Sequence, residues 1–368
     1  MSRSNRILRF LDRSFGPWLL RFLSFFRLKK RFPENIKKIA LMKFSGIGDL
    51  VLLSACLQDL KKAFPKAECV VFSGKDNQAL LKLLPACDQV QVLDILKPFQ
   101  LLQNLRKDKF DLFFDFGQWS CIEAFLTFIS GAAFSIGFKT TTQRRHFLYD
   151  AIAGHRSDVH EIDNYRSLLK LARVKTGCFP SLRFSKKPSA FLSDEKSPFY
   201  VFHPWPSGLK AHLKEWPNAC WIALAKELCS KGSRVLISGS RQDFPKTKRL
   251  IDEAKLEGLQ SVAGKFDLEE LGDLFLKSQA LVTVNTGIMH MAATLDVPMI
   301  ALHGPTSIKR WGPLSQHAIC LCPKDGSGEY LNLGFEYPSI EDHCMKGISL
   351  DMVKDALKRL DSCKEKKY

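Results

Sequence analysis

Asp49 is the acidic residue whose position in the sequence most needs a chemical explanation. It lies in KFSGIGDLVLLSAC, residues 43–56, where an apolar strand pattern changes into a helical one. The first amides of a helix attract anions, so a carboxylate placed there competes with any phosphate for the same donors. We therefore expect Asp49 either to act on a ligand or to cap a helix that begins near Leu50.

Gly46 and Gly48 form the same turn and are candidate ligand-contacting residues. They fit the first two positions of the G-x-G-x-x-G pattern of dinucleotide-binding proteins, but Val51 occupies the third position. No acidic residue follows at the usual distance, and the phosphate-binding pattern that ends in Gly-Lys-Ser/Thr is absent. These departures disfavour nicotinamide dinucleotides as ligands and the common nucleoside triphosphatases as a class.

A second candidate site lies in VTVNTGIMHMAA, residues 282–293. We expect Asn285 to be the N-cap of a helix whose first amides, at Thr286 and Gly287, bind an anion. His290 follows about one turn into this helix and is expected to reach the same ligand. The alternative is a capped helix with a buried histidine. The turn ALHGPTS after the next predicted strand offers further amides and hydroxyl groups, which favours the anion site.

These stretches belong to two successive runs of alternating strand and helix patterns, which predict βα units around parallel sheets. The first run begins at Ile36 and contains four predicted strands, the last of them FDLFFDFG. The second run begins after a segment rich in Pro, Ser and Lys at about 175–197 and ends in a helix that starts near Ser349. We predict two α/β lobes that face a cleft, with ligand-binding residues after the carboxyl ends of the strands.

The chain is strongly basic. Its formal net charge of +17 indicates an anionic partner, such as a nucleic acid, an acidic membrane surface or a phosphorylated substrate. Residues 1–31 carry nine Lys or Arg and one Asp, a net charge of +8. The sequence has no recognition helix, zinc finger or RNA-binding signature, so nucleic acid is the least favoured of these partners.

Residues 1–31, the basic arm, are also amphipathic. No apolar run approaches the roughly 20 residues of a membrane-spanning helix, and no small-residue cleavage site of a signal peptide follows. We predict a helix in the interface of an anionic membrane, kinked at Gly16-Pro17; the alternative is that its aromatic side chains pack on the protein itself. On a helical wheel, one side carries Ile7, Leu11, Phe15, Trp18, Phe22, Phe25 and Phe26, and the other carries Arg3, Arg6, Arg9, Arg13, Arg21 and Arg27.

The eleven cysteines indicate a reducing, cytoplasmic compartment, because they are odd in number and form no C-x-x-C pair. Most are expected to be small core residues. One cluster could be drawn as a zinc site, but its C-x-C spacing differs from that of the usual zinc knuckle, and we expect no metal there. Its members are His317, Cys320, Cys322, His343 and Cys344.

Several motifs taken together resemble glycosyltransferase family 9, the lipopolysaccharide heptosyltransferases. They occur in the family's order from about residue 38 to 358, so that the resemblance omits only the basic arm. The motifs are GIGDLVLLSACLQDLKKAFPKAE, FDLFFDFG, SIGF, HP followed by KEWP, NTGIMHMAATLDVPMIALHGPT and HCMKGISLDMV.

The resemblance implies a GT-B architecture, which consists of two Rossmann-like doubly wound lobes. In the family the N-terminal lobe holds the acceptor and the C-terminal lobe holds the nucleotide-sugar. Mapped on this chain, it implies the arm at 1–35, an acceptor-binding lobe at 36–180, a nucleotide-sugar-binding lobe at 198–345 and a C-terminal helix at 346–368.

The resemblance also assigns roles to single residues. Asp49 matches the candidate general base, which takes the proton of the acceptor hydroxyl as it attacks the anomeric carbon; direct displacement with inversion requires such a base. Lys214 of KEWP matches a lysine near the phosphates of the donor, and Ser207 and Lys210 of SGLKAHLKEWP are expected beside it. Asp243 falls where the family places an acid near the adenosine ribose.

No cofactor or divalent metal is expected, because the sequence contains no Asp-x-Asp pair to hold one. The lysines and the helix amides at Thr286 and Gly287 must then neutralise the leaving diphosphate. One departure concerns Asn285, where the family usually has Asp. Helix capping would survive this change, but any contact that requires the negative charge would be lost.

The predicted function is metal-independent, inverting transfer of heptose from ADP-heptose to the phosphorylated lipid A–Kdo inner core of lipopolysaccharide. The enzyme would be peripheral on the cytoplasmic face of the bacterial inner membrane. Two alternatives remain: a family 9 enzyme with another nucleotide-sugar or surface-glycan acceptor, and a sugar-nucleotide-binding homologue with weakened catalysis, which Asn285 would explain.

Overall fold

A computed structural model of the protein describes residues 6–365, except 29, 45, 186–196, 209, 333–335 and 338–342, and describes no side chains at 6–9 or 363–365. The chain divides into two compact units, Met1–Arg183 and Phe184–Tyr368. Each unit contains one six-stranded sheet whose strand pairs are parallel. The prediction of two doubly wound α/β lobes is confirmed.

The sheet of the first unit has the order β3-β2-β1-β4-β5-β6. The strand order reverses at β1, so the carboxyl ends of β1 and β4 lie side by side. The central strands are buried along most of their length, whereas β6 at the edge alternates between half-buried and exposed. The strands are β1 (Lys38–Met42), β2 (Glu68–Gly74), β3 (Gln89–Leu93), β4 (Leu112–Asp115), β5 (Phe134–Lys139) and β6 (Ala151–Gly154).

The helices of the first unit cover its sheet, and α3, the helix after β1, is the most deeply buried. It is apolar around most of its circumference, as expected of a helix packed on several sides. The helices are α1 (Arg6–Ser14), α2 (Gly16–Leu23), α3 (Ile47–Ala63), α4 (Gln78–Leu81), α5 (Pro98–Arg106), α6 (Cys121–Ile129) and α7 (Glu161–Leu171).

The described part of the basic arm contains α1 and α2, which are interrupted at Phe15, directly before the predicted Gly16-Pro17. The arm is docked on the first unit: Leu20 is fully buried, the Asp12 carboxylate accepts the backbone N–H groups of Cys121 and Ile122 at the start of α6, and the Arg27 guanidinium pairs with Asp150 at 2.6 Å. The predicted aromatic face nevertheless points to solvent. Its exposed side chains are Phe15, Trp18, Phe22, Phe25 and Phe26.

The sheet of the second unit has the order β12-β11-β10-β7-β8-β9. Here β7 lies between β8 and β10, and β11 lies beside β10. Because all three of these strand pairs are parallel, the carboxyl ends of β7, β8, β10 and β11 lie at one edge of the sheet. The strands are β7 (Phe199–His203), β8 (Arg234–Ile237), β9 (Leu259–Ser261), β10 (Leu281–Val284), β11 (Met299–Leu302) and β12 (Ala318–Leu321).

The core of the second unit is built around two tryptophans. Trp216 and Trp221 are both 1% exposed, and their rings meet edge to face with centroids 5.0 Å apart. The Trp216 indole N–H donates to the Ile348 carbonyl oxygen at 2.8 Å, which ties the KEWP motif to the segment before the last helix. The helices are α8 (Asn218–Ser230), α9 (Phe244–Ala254), α10 (Leu268–Lys277), α11 (Gly287–Ala293), α12 (Ile308–Trp311) and α13 (Leu350–Glu365).

The first part of the Pro-, Ser- and Lys-rich segment is hydrogen-bonded to α3 of the first unit. The Asp59 carboxylate accepts the backbone N–H groups of Gly177 and Cys178, and the Ser181 N–H donates to the Ser54 hydroxyl. The remainder of the segment, 186–196, lies outside the described residues. Within the described part of the chain, no helix is both long and apolar enough to cross a bilayer.

Candidate active site

The turn that carries Asp49 requires glycine at position 46. Gly46 has φ +104°, which side-chain-bearing residues rarely adopt, and it immediately precedes α3. An ideal Cβ at Gly46 would lie 2.0 Å from Oδ2 of Asp49. Gly48 is the second residue of the helix and Asp49 the third, so the expectation that Asp49 caps a helix beginning near Leu50 is wrong. The helix begins at Ile47.

Two buried donors hold the Asp49 carboxylate. The Tyr165 hydroxyl donates to Oδ1 at 2.8 Å, and the Lys43 ammonium nitrogen lies 3.3 Å from the same oxygen. Tyr165 is fully buried, and Asp49 is 8% exposed. Burial, together with the nearby Asp49 charge, raises the pKa of Tyr165 well above its ordinary value. The phenol therefore stays protonated at neutral pH and acts as a hydrogen-bond donor.

Lys43 shares its ammonium group among three acceptors. Besides Asp49, it donates to Oε1 of Gln118 at 2.8 Å and to the Phe116 carbonyl oxygen at 3.3 Å. An ammonium has three N–H donors, so these contacts account for its full capacity. The side chain is 5% exposed and cannot turn to solvent without leaving the network.

Gln118 leads from Lys43 to a second buried carboxylate, that of Glu161. The Gln118 amide donates to Glu161, and the Asn164 amide donates to the other oxygen of Glu161 at 3.0 Å. The His155 Nε2 atom lies 3.1 Å from both oxygens, and its side chain is 2% exposed. A polar network thus runs from the end of β1 through the end of β4 to α7.

A separate ion pair lies under the end of β4. Asp115 and Arg145 are fully buried and 2.6 Å apart, and the Tyr149 hydroxyl donates to the same Asp115 oxygen at 2.5 Å. Glu123 on α6 accepts the Phe44 backbone N–H at 3.0 Å, which fixes the start of the turn that leads to Asp49. Burial, reinforced by the Asp115 charge, raises the pKa of Glu123.

In the second unit, the predicted donor-binding residues follow strands whose carboxyl ends share one edge of the sheet. Ser207, Lys210 and Lys214 lie in the segment after β7, where the Lys214 ammonium donates to the Ser207 carbonyl oxygen at 3.3 Å. Lys210 has φ +46° and places its ammonium 5.7 Å from the centroid of the Tyr337 ring. The structure therefore brings both lysines to the loop after β7.

The expectation that Asn285 caps the helix after β10 is wrong. Thr286 is the N-cap of α11, and its hydroxyl accepts the Met289 N–H at 3.4 Å; Gly287 is the first helical residue. The Asn285 amide instead donates to the Trp311 carbonyl oxygen at 3.1 Å. The cap moved by one residue because β10 ends at Val284 and leaves Asn285 to face the loop after β11.

Two buried histidines lie at the same edge of the second sheet. Burial lowers the pKa of His203 to about 4 and that of His303 also to about 4, so both are neutral at neutral pH. The Nδ1 atom of His303 lies 3.4 Å from the Asn285 amide nitrogen and 3.4 Å from the Thr306 hydroxyl. Sequence reasoning did not select either histidine, although both lie near the carboxyl ends of predicted strands.

The two remaining predicted donor-site residues, Asp243 and His290, lie after β8 and in α11, respectively. The Asp243 carboxylate accepts the backbone N–H and the hydroxyl of Ser240 at 2.8 and 2.6 Å, forming a capping box after β8. His290 lies in α11 and is 5% exposed. Among the described residues, no group of three or more His, Cys, Asp or Glu side chains converges on a point where it could hold a metal ion.

Two successive Rossmann-like units are the architecture of the GT-B class of glycosyltransferase folds, and in this chain ionisable side chains lie at the carboxyl ends of their strands. The solved structure of Escherichia coli ADP-heptose lps heptosyltransferase II superposes with a TM-score of 0.73 at 21% identity, over 89% of this chain and 99% of that one. A family 9 glycosyltransferase from Veillonella parvula superposes with a TM-score of 0.74 at 19% identity, over 90% and 99%.

Sequence similarity identifies the family. The profile of glycosyltransferase family 9 (heptosyltransferase) matches residues 99–331. Lipooligosaccharide heptosyltransferase 2 of Haemophilus ducreyi is 27% identical over 78% of this chain and 89% of its own length, and lipopolysaccharide heptosyltransferase 2 of E. coli K12 is 25% identical over 76% and 86%. The chain belongs to glycosyltransferase family 9 and is a glycosyltransferase.

Proposed function

We propose that the protein transfers heptose from ADP-heptose to the phosphorylated lipid A–Kdo inner core of lipopolysaccharide, with inversion at the anomeric carbon and without a metal ion. The similarity to heptosyltransferases 2, which extends over about three quarters of the chain, supports this substrate pair. The first unit binds the acceptor and supplies the base, and the second binds the nucleotide-sugar.

The observation that carries the proposal is the environment of Asp49. The carboxylate stands beyond the end of β1, nearly buried and held by Tyr165 and Lys43 at Oδ1. A carboxylate fixed in this way can accept the proton of an acceptor hydroxyl while the oxygen attacks the anomeric carbon. Displacement from the face opposite the leaving group inverts the configuration of that carbon.

Charge neutralisation of the departing ADP falls to the second unit. Lys210 and Lys214 follow β7, and the hydroxyl and amide groups of Thr286 and Gly287 follow the neighbouring β10. Two ammonium groups and the amides of a helix terminus can stabilise a diphosphate without a divalent cation. His290 and Asp243 complete the proposed contacts, with Asp243 toward the ribose.

The replacement of an acid by Asn285 does not favour a weakened homologue. The Asn285 side chain donates to the Trp311 carbonyl oxygen, a contact that a carboxylate could not make. The α11 amides are capped by Thr286, so the change at 285 leaves the proposed anion-binding group in place. We therefore propose that the protein has full transferase activity.

A ligand panel tests the choice of donor. We expect ADP and ADP-heptose, but not UDP or GDP, to raise the melting temperature of the full chain. We also expect ADP release that depends on the lipid A–Kdo acceptor and persists in excess EDTA. Stabilisation by UDP alone would overturn the donor assignment, and stabilisation by none of the nucleotides would favour loss of donor binding.

We further propose that the basic arm holds the enzyme on the anionic cytoplasmic face of the inner membrane. Trp18 and Phe25 are 66% and 72% exposed on an arm that is already anchored to the first unit by Leu20. Aromatic rings on a basic helical surface insert into the interface of an anionic leaflet, while the arginines contact lipid phosphates.

Vesicle sedimentation tests this surface. Replacing Trp18, Phe22 and Phe25 with Ser is expected to weaken binding to phosphatidylglycerol vesicles at least tenfold, with little binding to phosphatidylcholine in either case. Phe179→Ser is the matched control, because Phe179 is 72% exposed on the same unit but lies outside the arm. Equal binding of the triple variant and the control would rule out the membrane surface.

A further inference from the structure

We propose that Tyr165 and Lys43 are positioning residues for Asp49, which fix the direction of its carboxylate. The inference rests on the proposed function, since it takes Asp49 as the general base. Neither residue was selected by sequence reasoning, and Tyr165 lies 116 positions away from Asp49 in the chain.

Contacts on opposite sides restrict the Asp49 carboxylate. Tyr165 and Lys43 both act on Oδ1, at 2.8 and 3.3 Å, and Oδ2 lies 2.0 Å from the position that a Cβ on Gly46 would occupy. Turning the carboxylate plane about the Cβ–Cγ bond would break the two contacts to Oδ1. A base held in one orientation presents its lone pairs in one direction, which is the geometric requirement of proton transfer to a bound ligand.

The two donors are themselves immobilised. The ring of Tyr165 is fully buried on α7 and meets Phe116 edge to face, with centroids 5.1 Å apart. The Lys43 ammonium is tied to Gln118 and to the Phe116 carbonyl oxygen. Neither donor can follow the carboxylate if it turns, so the orientation is built into the folded unit before substrate binds.

The test is steady-state ADP release from ADP-heptose with the lipid A–Kdo acceptor, measured on the full chain. For Tyr165→Phe and for Lys43→Met we expect kcat to fall by about 10- to 100-fold with KM for ADP-heptose unchanged, because the base is no longer held in one orientation while the donor site is untouched.

Tyr149→Phe is the matched control. Tyr149 is also a buried phenol that donates to a buried aspartate of the same unit, at 2.5 Å from Asp115. We expect it to lower the melting temperature about as much as Tyr165→Phe while leaving kcat at the wild-type value. A role in stability alone would give the same kcat in both variants.

The possible outcomes separate this inference from the proposed function. If Asp49→Asn abolishes turnover but both Tyr165→Phe and Lys43→Met keep the wild-type kcat, the positioning role is wrong and the base assignment stands. A kcat that falls equally in Tyr149→Phe also overturns the positioning role. If Tyr165→Phe fails to fold, Lys43→Met decides. If Asp49→Asn retains turnover, the proposed function fails and the positioning role fails with it.

Discussion

Gly46 determines where the Asp49 carboxylate can lie. Its positive φ and the 2.0 Å approach of Oδ2 to the position of a Cβ both exclude a side chain. We expect Gly46→Ala to lower the free energy of unfolding by about 1–2 kcal/mol, from backbone strain, and to reduce kcat by about 100-fold, because Asp49 must move. Urea denaturation and ADP release measure the two effects.

Gly131 provides the control for this prediction. It also has a positive φ, +72°, but nothing lies within 4 Å of the position of its Cβ. Gly131→Ala should therefore lose comparable stability and keep its turnover. Equal losses of activity in the two variants would show that the contact between Gly46 and Asp49 has no catalytic consequence.

Asn285 lies beside the neutral His303, so a carboxylate at position 285 should change the stability of the protein in a pH-dependent way. In Asn285→Asp the carboxylate would face the Trp311 carbonyl oxygen, so we expect a loss of about 1–3 kcal/mol at pH 8. The new charge also raises the pKa of His303 from about 4. As the pH falls, protonation of His303 then stabilises the variant relative to the wild type, so the loss should shrink by pH 5.5.

The Asn285→Ala variant is the control that separates the effect of the new charge from the loss of the hydrogen bond. The alanine variant loses the same hydrogen bond without gaining a carboxylate, and in it burial still keeps His303 neutral. Its stability deficit should therefore not shrink between pH 8 and pH 5.5. Urea denaturation at the two pH values measures both variants, and an Asp variant as stable as the wild type at pH 8 would contradict the account.

Local sequence patterns located the chemistry of Asp49 but not its partners. The Gly-x-Gly-Asp turn is contiguous, so its position after a buried strand could be predicted. Tyr165 could not be selected, because it reaches Asp49 through the packing of α7 against α3, and no spacing in the sequence encodes that packing. Lys43 lies in the same turn as Asp49, but a single lysine beside a strand end does not reveal which way its side chain points. The cap at Thr286 was missed by one residue because Asn and Thr both occur at N-caps, and the end of β10 at Val284 decided between them.

At the scale of elements, the Asp12 carboxylate joins the arm to the start of α6. Asp12 accepts two backbone N–H groups at the start of α6, at 3.1 and 2.8 Å, and the Ser120 N-cap residue makes no side-chain capping bond. We expect Asp12→Ala to cost about 1–2 kcal/mol, as loss of a cap does, and to release the arm to trypsin. Urea denaturation and limited proteolysis are the measurements.

An equivalent cap in the second unit controls for this prediction. The Asp267 carboxylate accepts the Glu270 N–H of α10 at 2.9 Å. Asp267→Ala should lose similar stability without changing the rate at which trypsin cleaves the arm. If the arm of Asp12→Ala is cleaved no faster than that of Asp267→Ala, Asp12 does not anchor it.

The strength of the apolar pattern decided which elements could be predicted. The strands that flank the candidate site are buried at nearly every position, and the sequence identified them. The strands β6, β9 and β12 were not predicted, because they are short and partly exposed at or near sheet edges. The sequence of β5 was recognised only through the SIGF motif and not as a strand.

At the scale of the whole molecule, charge and fold serve the same proposed substrates. The arm accounts for +8 of the net charge of +17, and its exposed aromatic side chains lie on the unit proposed to bind the lipid-linked acceptor. The second unit carries Lys210 and Lys214 at the sheet edge proposed for ADP. The positive charge therefore matches an anionic surface, a phosphorylated acceptor and a nucleoside diphosphate.

The central claim is that Asp49 removes the acceptor proton while a separate unit holds the nucleotide. Its most direct test is Asp49→Asn, an isosteric change on the first unit, with single-turnover transfer from ADP-heptose and calorimetric binding of ADP measured on the same preparation. We predict an unchanged Kd for ADP and a transfer rate reduced by about 10²–10⁴-fold. A folded Asp49→Asn variant that transfers heptose at the wild-type rate would contradict the account.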